Sequence, residues 1–278
     1  MKNKNLFLGS TALIGGLLIS TISFSADLYV VGEPTLPIVL PAVSGVNGKI
    51  AVQGGAFDDE GFGLLTGSIS VPLGTRFGLQ ADGLAGAREG DFVGGGGAHL
   101  FWRDPSYGLL GVYGSYTHRE DIDGSVARLG VEGEYYYNNW TTRTVLGAET
   151  IDAGSAFVEP DDGFFAFTDV SYYINENLEL SVGHRFTADR NALALGAEYQ
   201  LDQSLFNNGV SLFAEGRIGE DDYSAVWAGV RVYLGDDKSL MRRHREDDPT
   251  QWGDEDLFDV EAEPGDSESD GGGSESVS

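Results

Sequence analysis

Cysteine is absent from the 278 residues, which excludes a disulfide framework, a thiolate metal site, a cysteine nucleophile and a lipid-anchoring cysteine. Basic side chains are scarce: 17 Lys and Arg stand against 44 Asp and Glu, a formal net charge of −27. Neutralising phosphates takes a concentrated basic surface, so nucleic acid is excluded as a partner. Histidine is also sparse. His99, His118, His184 and His244 are scattered without metal-ligand spacing, and no metal or cofactor is expected. Gly94-Gly95-Gly96-Gly97 has no Gly-Lys-Ser/Thr and no helical pattern after it, so it reads as close packing or a bulge within a strand rather than a phosphate loop. No helical period of useful length exists between Gly48 and Leu234.

Long apolar runs are confined to the start. Lys2 and Lys4 precede an apolar stretch from Leu6 to Ile22, and Ser23-Phe24-Ser25-Ala26 supplies small residues. This is the layout of a secretory signal, assigned to residues 1–26. Residues 27–47 carry Pro34, Pro37 and Pro41, which rule out a helix and disfavour a central strand. They read as an extended arm, whose apolar residues Leu28 to Val43 are candidates to enter a lumen.

Glycine, by contrast, is abundant at 41 residues, and aromatics make up 11%. Residues 48–234 hold twelve runs with period-2 alternation. They begin near Lys49, Phe62, Thr75, Asp91, Tyr107, Ser125, Thr141, Phe164, Leu178, Ala192, Val210 and Tyr223. Short links such as Pro72-Leu73-Gly74, Asp104-Pro105-Ser106, Asn138-Asn139 and Asn175-Glu176-Asn177 alternate with acidic, usually longer ones such as His118 to Gly124 and Thr150 to Asp162. An up-and-down barrel requires one rim of tight turns and one of loops. An even strand number puts both ends of the barrel on the tight-turn rim.

Period alone does not say which face turns outward, but the polar residues do. Leu178, Leu180, Val182, His184 and Phe186 oppose Glu179, Ser181, Gly183 and Arg185. Leu193, Leu195, Ala197 and Tyr199 oppose Glu198 and Gln200. Val226, Ala228, Val230, Val232 and Leu234 oppose Trp227, Gly229, Arg231 and Tyr233. The apolar faces run for roughly 9–11 residues, the length of a tilted membrane strand. The polar faces mix Arg, Glu and Gly, which suits a crowded wet interior. Phe101, Trp102, Trp140, Tyr172, Tyr173, Tyr199 and Tyr233 lie near strand ends, where interfacial girdles form. A soluble secreted β-sandwich with a charged exterior stays open as an alternative.

On these patterns the chain resembles the bacterial outer-membrane β-barrel (porin-like) superfamily over residues 48–234. The resemblance implies an all-β, up-and-down antiparallel transmembrane barrel of about twelve strands. It further implies outer-membrane lipid and the barrel insertion machinery as partners, both termini in the periplasm and acidic loops outside. Members often end on a strand with a terminal aromatic. Tyr233 is the candidate here, although a long tail follows it. Some outer-membrane phospholipases are twelve-stranded with a Ser/His site on the outer wall. His184 has no serine partner on a neighbouring run, so it reads as an interfacial histidine, and no catalytic residue is expected.

The candidate functional set is an inward charge network: Arg76, Asp82, Arg128, Glu132, Glu134, Arg143, Glu179, Arg185, Glu198, Glu215, Arg217 and Arg231. Its first role is structural ion pairing and its second is pore selectivity. Residues 235–278 are dominated by Asp, Glu, Ser and Gly after a short basic patch, Lys238 to Arg245. That composition buries too little to offset ordering entropy, so the tail is expected to be disordered, with Trp252, Leu257 and Phe258 as a candidate docking segment for a periplasmic partner. The expected function is a narrow passive channel for small polar solutes, with a non-conducting structural or interaction barrel as the alternative.

Overall fold

The structure, a computed structural model, describes residues 40–57, 60–120, 124–152, 161–201, 209–220 and 223–252. The expected signal segment, most of the arm, and residues 253–278 with Leu257 and Phe258 lie outside them.

Twelve strands form: β1 (Asn47–Phe57), β2 (Glu60–Leu73), β3 (Phe77–Arg88), β4 (Asp91–Asp104), β5 (Gly108–Arg119), β6 (Gly124–Tyr137), β7 (Trp140–Asp152), β8 (Asp161–Asn175), β9 (Leu178–Thr187), β10 (Arg190–Gln200), β11 (Gly209–Gly219) and β12 (Ser224–Leu234). Each pairs antiparallel with its neighbours in sequence, and β12 closes on β1. A closed ring has no edge strand to protect. Closure excludes the sandwich. Gly48 sits opposite Leu234, so the barrel begins and ends on the rim of tight turns. That rim uses positive-φ residues where the chain must reverse in two or three residues, Gly74 at 73° and Asn138 at 49°.

The exterior is apolar. Leu65, Leu110, Leu129, Val131, Leu195, Leu212 and Val226 are all exposed, while their strand neighbours turn polar side chains inward to burial. Glycine lets strands approach at a few positions. A Cβ on Gly147 would stand 2.1 Å from the Leu129 carbonyl oxygen, and Gly130 is its register partner. Gly94 and Gly95 lie in unbroken register with Ala85 and Leu84. The ring of Phe92 covers Gly94, so the four glycines mark close packing and not a bulge.

The interior of the loop-rim half is filled by side chains of the wall. Phe57, Leu64, Leu84, Val93, Tyr223 and Trp227 form one apolar cluster there. In the turn-rim half the filling comes from elsewhere. After β12 the chain turns back into the barrel mouth, forms helix α1 (Leu240–Glu246) and continues to Trp252. Trp252 is 2% exposed and packs with Tyr113, Val145, Phe165 and Phe167 near mid-barrel. The expectation of disorder from residue 235 onward is therefore corrected over residues 235–252. Composition averaged over the whole acidic tail hid a basic stretch that finds its complement inside the barrel.

Candidate functional site: the charged lumen and its C-terminal segment

Alternation along each strand points one residue in two into the lumen, and this places the predicted charges together. Arg128 Nε donates to Glu149 Oε2 at 2.9 Å and Arg128 Nη2 to the Thr187 hydroxyl at 2.7 Å, spanning β6, β7 and β9. Arg185 pairs with Asp169 at 2.8 Å and approaches Glu215 at 3.7 Å, and Arg217 donates to Glu215 at 2.9 Å. Arg143 donates to Glu179 at 2.7 Å, and Arg231 to Glu198. Asp82 and Glu132 each lie 2.8 Å from one nitrogen of His99, which is fully buried between them. Glu134 accepts from the Tyr136 hydroxyl.

Arg76 is the exception. It lies in the β2–β3 turn and pairs with Asp104 at 2.7 Å on the rim, with a half-exposed side chain. Placing it in the lumenal network is corrected: the turn ends before the first inward position of β3.

Several members were not found from the sequence. Glu149 and Asp169 belong to runs whose polar faces also carry apolar residues, so the alternation there is weak. His99 carries no motif. Arg103 is fully buried in β4, its guanidinium 4.8 Å over the Phe101 ring and its Nη1 3.4 Å from the Ala42 carbonyl. His184 is exposed on the outer wall as expected, with Nε2 3.1 Å from Asn191 Oδ1.

The C-terminal segment is seated by hydrogen bonds and ion pairs along its whole described length. At the turn rim the Met241 amide donates to the Glu176 carbonyl at 3.0 Å and the Leu240 amide to Asn177 Oδ1 at 3.2 Å. Arg245 donates to the Trp140 carbonyl at 2.8 Å and the Thr141 hydroxyl at 3.0 Å. Arg243 Nε donates to Gln200 Oε1 at 3.0 Å. The end of the arm closes over the segment, since the Ser44 amide donates to the Glu246 carbonyl at 3.0 Å, while Ala42 and Val43 are buried at the mouth. Deeper in, Lys49 pairs with Asp248, and Gln80 Nε2 donates to the Pro249 carbonyl at 3.3 Å. Asp247 pairs with Lys238 and accepts from Ser44 at 2.6 Å. Burial pushes its carboxyl above the ordinary aspartate range, and these two donors only partly offset the shift.

His244 is the segment's most connected side chain. It sits among Tyr173, Glu179, Glu198 and Tyr233, and a cavity of about 140 Å3 beside it is lined by Arg143, Arg185, Arg231 and Trp252. Such a space holds a few waters. The arrangement presents fixed opposite charges around a narrow wet gap, the chemistry of a filter or a plug.

No protein-family pattern matches the chain, and no curated protein sequence does. Among solved structures, the KdgM porin superposes with a TM-score of 0.51 at 12% identity, covering 67% of this chain and 99% of its own. The same porin in complex with disordered oligogalacturonate gives the same values. The outer membrane phospholipase A of Escherichia coli aligns with a TM-score of 0.43 at 17% identity over 71% of this chain and 94% of that enzyme. The fold is that of the outer-membrane porin barrels.

Proposed function

We propose that the chain spans the bacterial outer membrane as a narrow channel for small polar solutes, with its own C-terminal segment occupying the turn-rim half of the lumen. The observation that carries this reading is the reversed polarity of the barrel. Leucine and valine cover the outside, while Arg128, Arg143, Arg185 and Arg217 are buried inside with carboxylate partners. A water-soluble barrel gains nothing by that arrangement, whereas in lipid it places every desolvated charge away from hydrocarbon. The porin fold supports the same reading, as does the expected export signal. Turns then face the periplasm and acidic loops the exterior, with lipid and the insertion machinery as partners.

The segment between Leu240 and Trp252 narrows the path, so solute flux requires it to move. Vesicle swelling tests this. Vesicles carrying a chain shortened to end at Asp236 should swell in a small neutral sugar, and vesicles carrying the full chain should swell far more slowly. Absence of swelling with the shortened chain would sink the channel. The non-conducting interaction barrel would then stand, a reading favoured by the ion pairs that bridge strands at mid-lumen.

A further inference from the structure

We propose that the seat of residues 248–252 is a binding site for short acidic peptides that also carry an aromatic residue. The inference rests on the channel reading above and names the class of its solute. The described end of the chain is held there as a ligand would be. Asp248 pairs with Lys49 of β1 and is the one ion-pair partner of that ammonium among the described residues. The next carbonyl, that of Pro249, accepts from Lys49 Nζ at 3.3 Å and from Gln80 Nε2 of β3 at 3.3 Å. Gln251 Nε2 lies 3.3 Å from the Gly83 carbonyl and 3.5 Å from that of Gly67, its register partner across β2 and β3. The ring of Trp252 stands 6.0 Å from that of Phe167 in β8, with the Arg185 guanidinium of β9 5.5 Å from it.

Each wall group reads a different feature of a peptide. Lys49 is a buried cation that stays uncompensated unless a carboxylate sits against it. Pro249 brings a carbonyl and no N–H, and the wall meets it with two donors. Ser70 donates to Gln80 Oε1 at 2.8 Å, which leaves the other end of that amide to face the lumen. The far end of the seat is sorted by polarity. Trp252 packs on Val145, Phe165 and Phe167, side chains without a hydrogen-bonding group. A sugar ring there would strand its hydroxyls, whereas an aromatic side chain gains buried area and the attraction of Arg185 for its face. A cation near the turn rim and an apolar platform at mid-barrel also fix direction, acid outward and aromatic inward.

The middle of the segment is not read. Thr250 has no polar wall partner among the described residues and borders the cavity of about 140 Å3, so other side chains fit at that position. Recognition therefore asks for an acidic residue and an aromatic one, separated as Asp248 and Trp252 are, on a peptide backbone. The chain's own segment holds the seat against free peptide by attachment. Residues 235–239 are all that separates β12 from α1, and so short a tether gives the segment a high effective concentration at the mouth. A free peptide enters where the segment has left, and meets the same wall groups.

The test uses the full chain with both anchors of its own segment removed, Asp248→Ala together with Trp252→Ala, which leaves every wall group in place. The probe is the acetylated, amidated hexapeptide Asp-Asp-Pro-Thr-Gln-Trp, the sequence of residues 247–252, titrated calorimetrically into the barrel in detergent micelles. The double variant should bind one peptide per barrel, about tenfold more tightly than the parent, whose seat is filled. The same six residues in reverse order should bind that variant about tenfold more weakly. Adding Lys49→Ala should weaken the native order by a similar factor. If the double variant gives no compact band on an unboiled gel, Asp248→Asn alone, which keeps the side-chain volume, carries the same comparison of the two peptides. No binding by a folded variant, equal binding of both orders, or indifference to Lys49→Ala overturns the site. Failure of the channel reading would look different: peptide binding with no swelling by the shortened chain.

Discussion

Lys49 in β1 and Asp248 in the C-terminal segment form an ion pair inside the barrel, with side chains 10% and 4% exposed. The first strand thus holds a stretch of chain that the sequence places beyond the last one. Each charge is buried because the other is there, so removing one partner should cost more than removing both.

Lys49→Ala strands Asp248 without its cation. The seated state should lose about 3 kcal/mol, enough to shift the seated-to-released ratio by roughly a hundredfold. Swelling of vesicles carrying the full chain should speed up accordingly. Adding Asp248→Ala to Lys49→Ala should slow it again, and a double variant that swells no more slowly than Lys49→Ala would show that the pair does not hold the segment.

Leu129 lies halfway along β6 and is 71% exposed. In lipid, Leu129→Arg should cost about 2–4 kcal/mol of folding free energy, measured by denaturant titration in vesicles. On a water-facing wall the same change would be neutral. A variant that folds as stably as the parent would contradict membrane placement.

Arg128 and Glu149 are almost wholly buried, and Glu149 also accepts from the Thr187 hydroxyl at 2.7 Å and the Ala188 amide at 2.8 Å. Arg128→Leu should destabilise the barrel by about 3–5 kcal/mol, since it leaves that carboxylate uncompensated. The readout is the temperature at which the compact band on an unboiled gel converts to the extended one. Glu149→Gln, which keeps a carbonyl acceptor for Arg128, should lower it less.

At the loop rim, the Asn191 amide and side chain both donate to Glu220 at 2.9 Å. These bonds hold the exposed Glu220 carboxyl below the ordinary glutamate range. A depressed carboxyl stabilises the clasp above its unfolded pKa and ceases to do so as pH falls through the folded one. Hydrogen exchange at the Asn191 amide, corrected for its intrinsic rate, should therefore show protection that is lost on acidification below that range. Glu220→Gln should remove the pH dependence, and protection unchanged in acid would refute the clasp.

The barrel was legible because strand alternation is a local signal repeated twelve times. Observed strands begin within three residues of the sequence expectation throughout, from Asn47 to Ser224. Inward charges followed from the same parity, and Arg76 was misplaced because parity fails in a turn. The C-terminal segment was not legible. Leu240–Glu246 makes barely two helical turns, too short to show a period, and its stabilising partners (Glu176, Gln200, Lys49) lie far away in sequence. His244 was invisible for a related reason, since its socket is assembled from β8, β9, β10 and β12. The Gly, Ser, Asp and Glu of the last residues dominated the composition and masked a seated stretch that ends at Trp252.

Single-channel current through the full chain and through the chain ending at Asp236, in the same planar bilayer, tests the central claim most directly. A barrel plugged by its own C-terminal segment predicts rare or small openings in the full chain and steady, larger current in the shortened one. Equal current in both would mean that the segment does not occupy the lumen, and no current in either would mean that the wall's own side chains close the barrel.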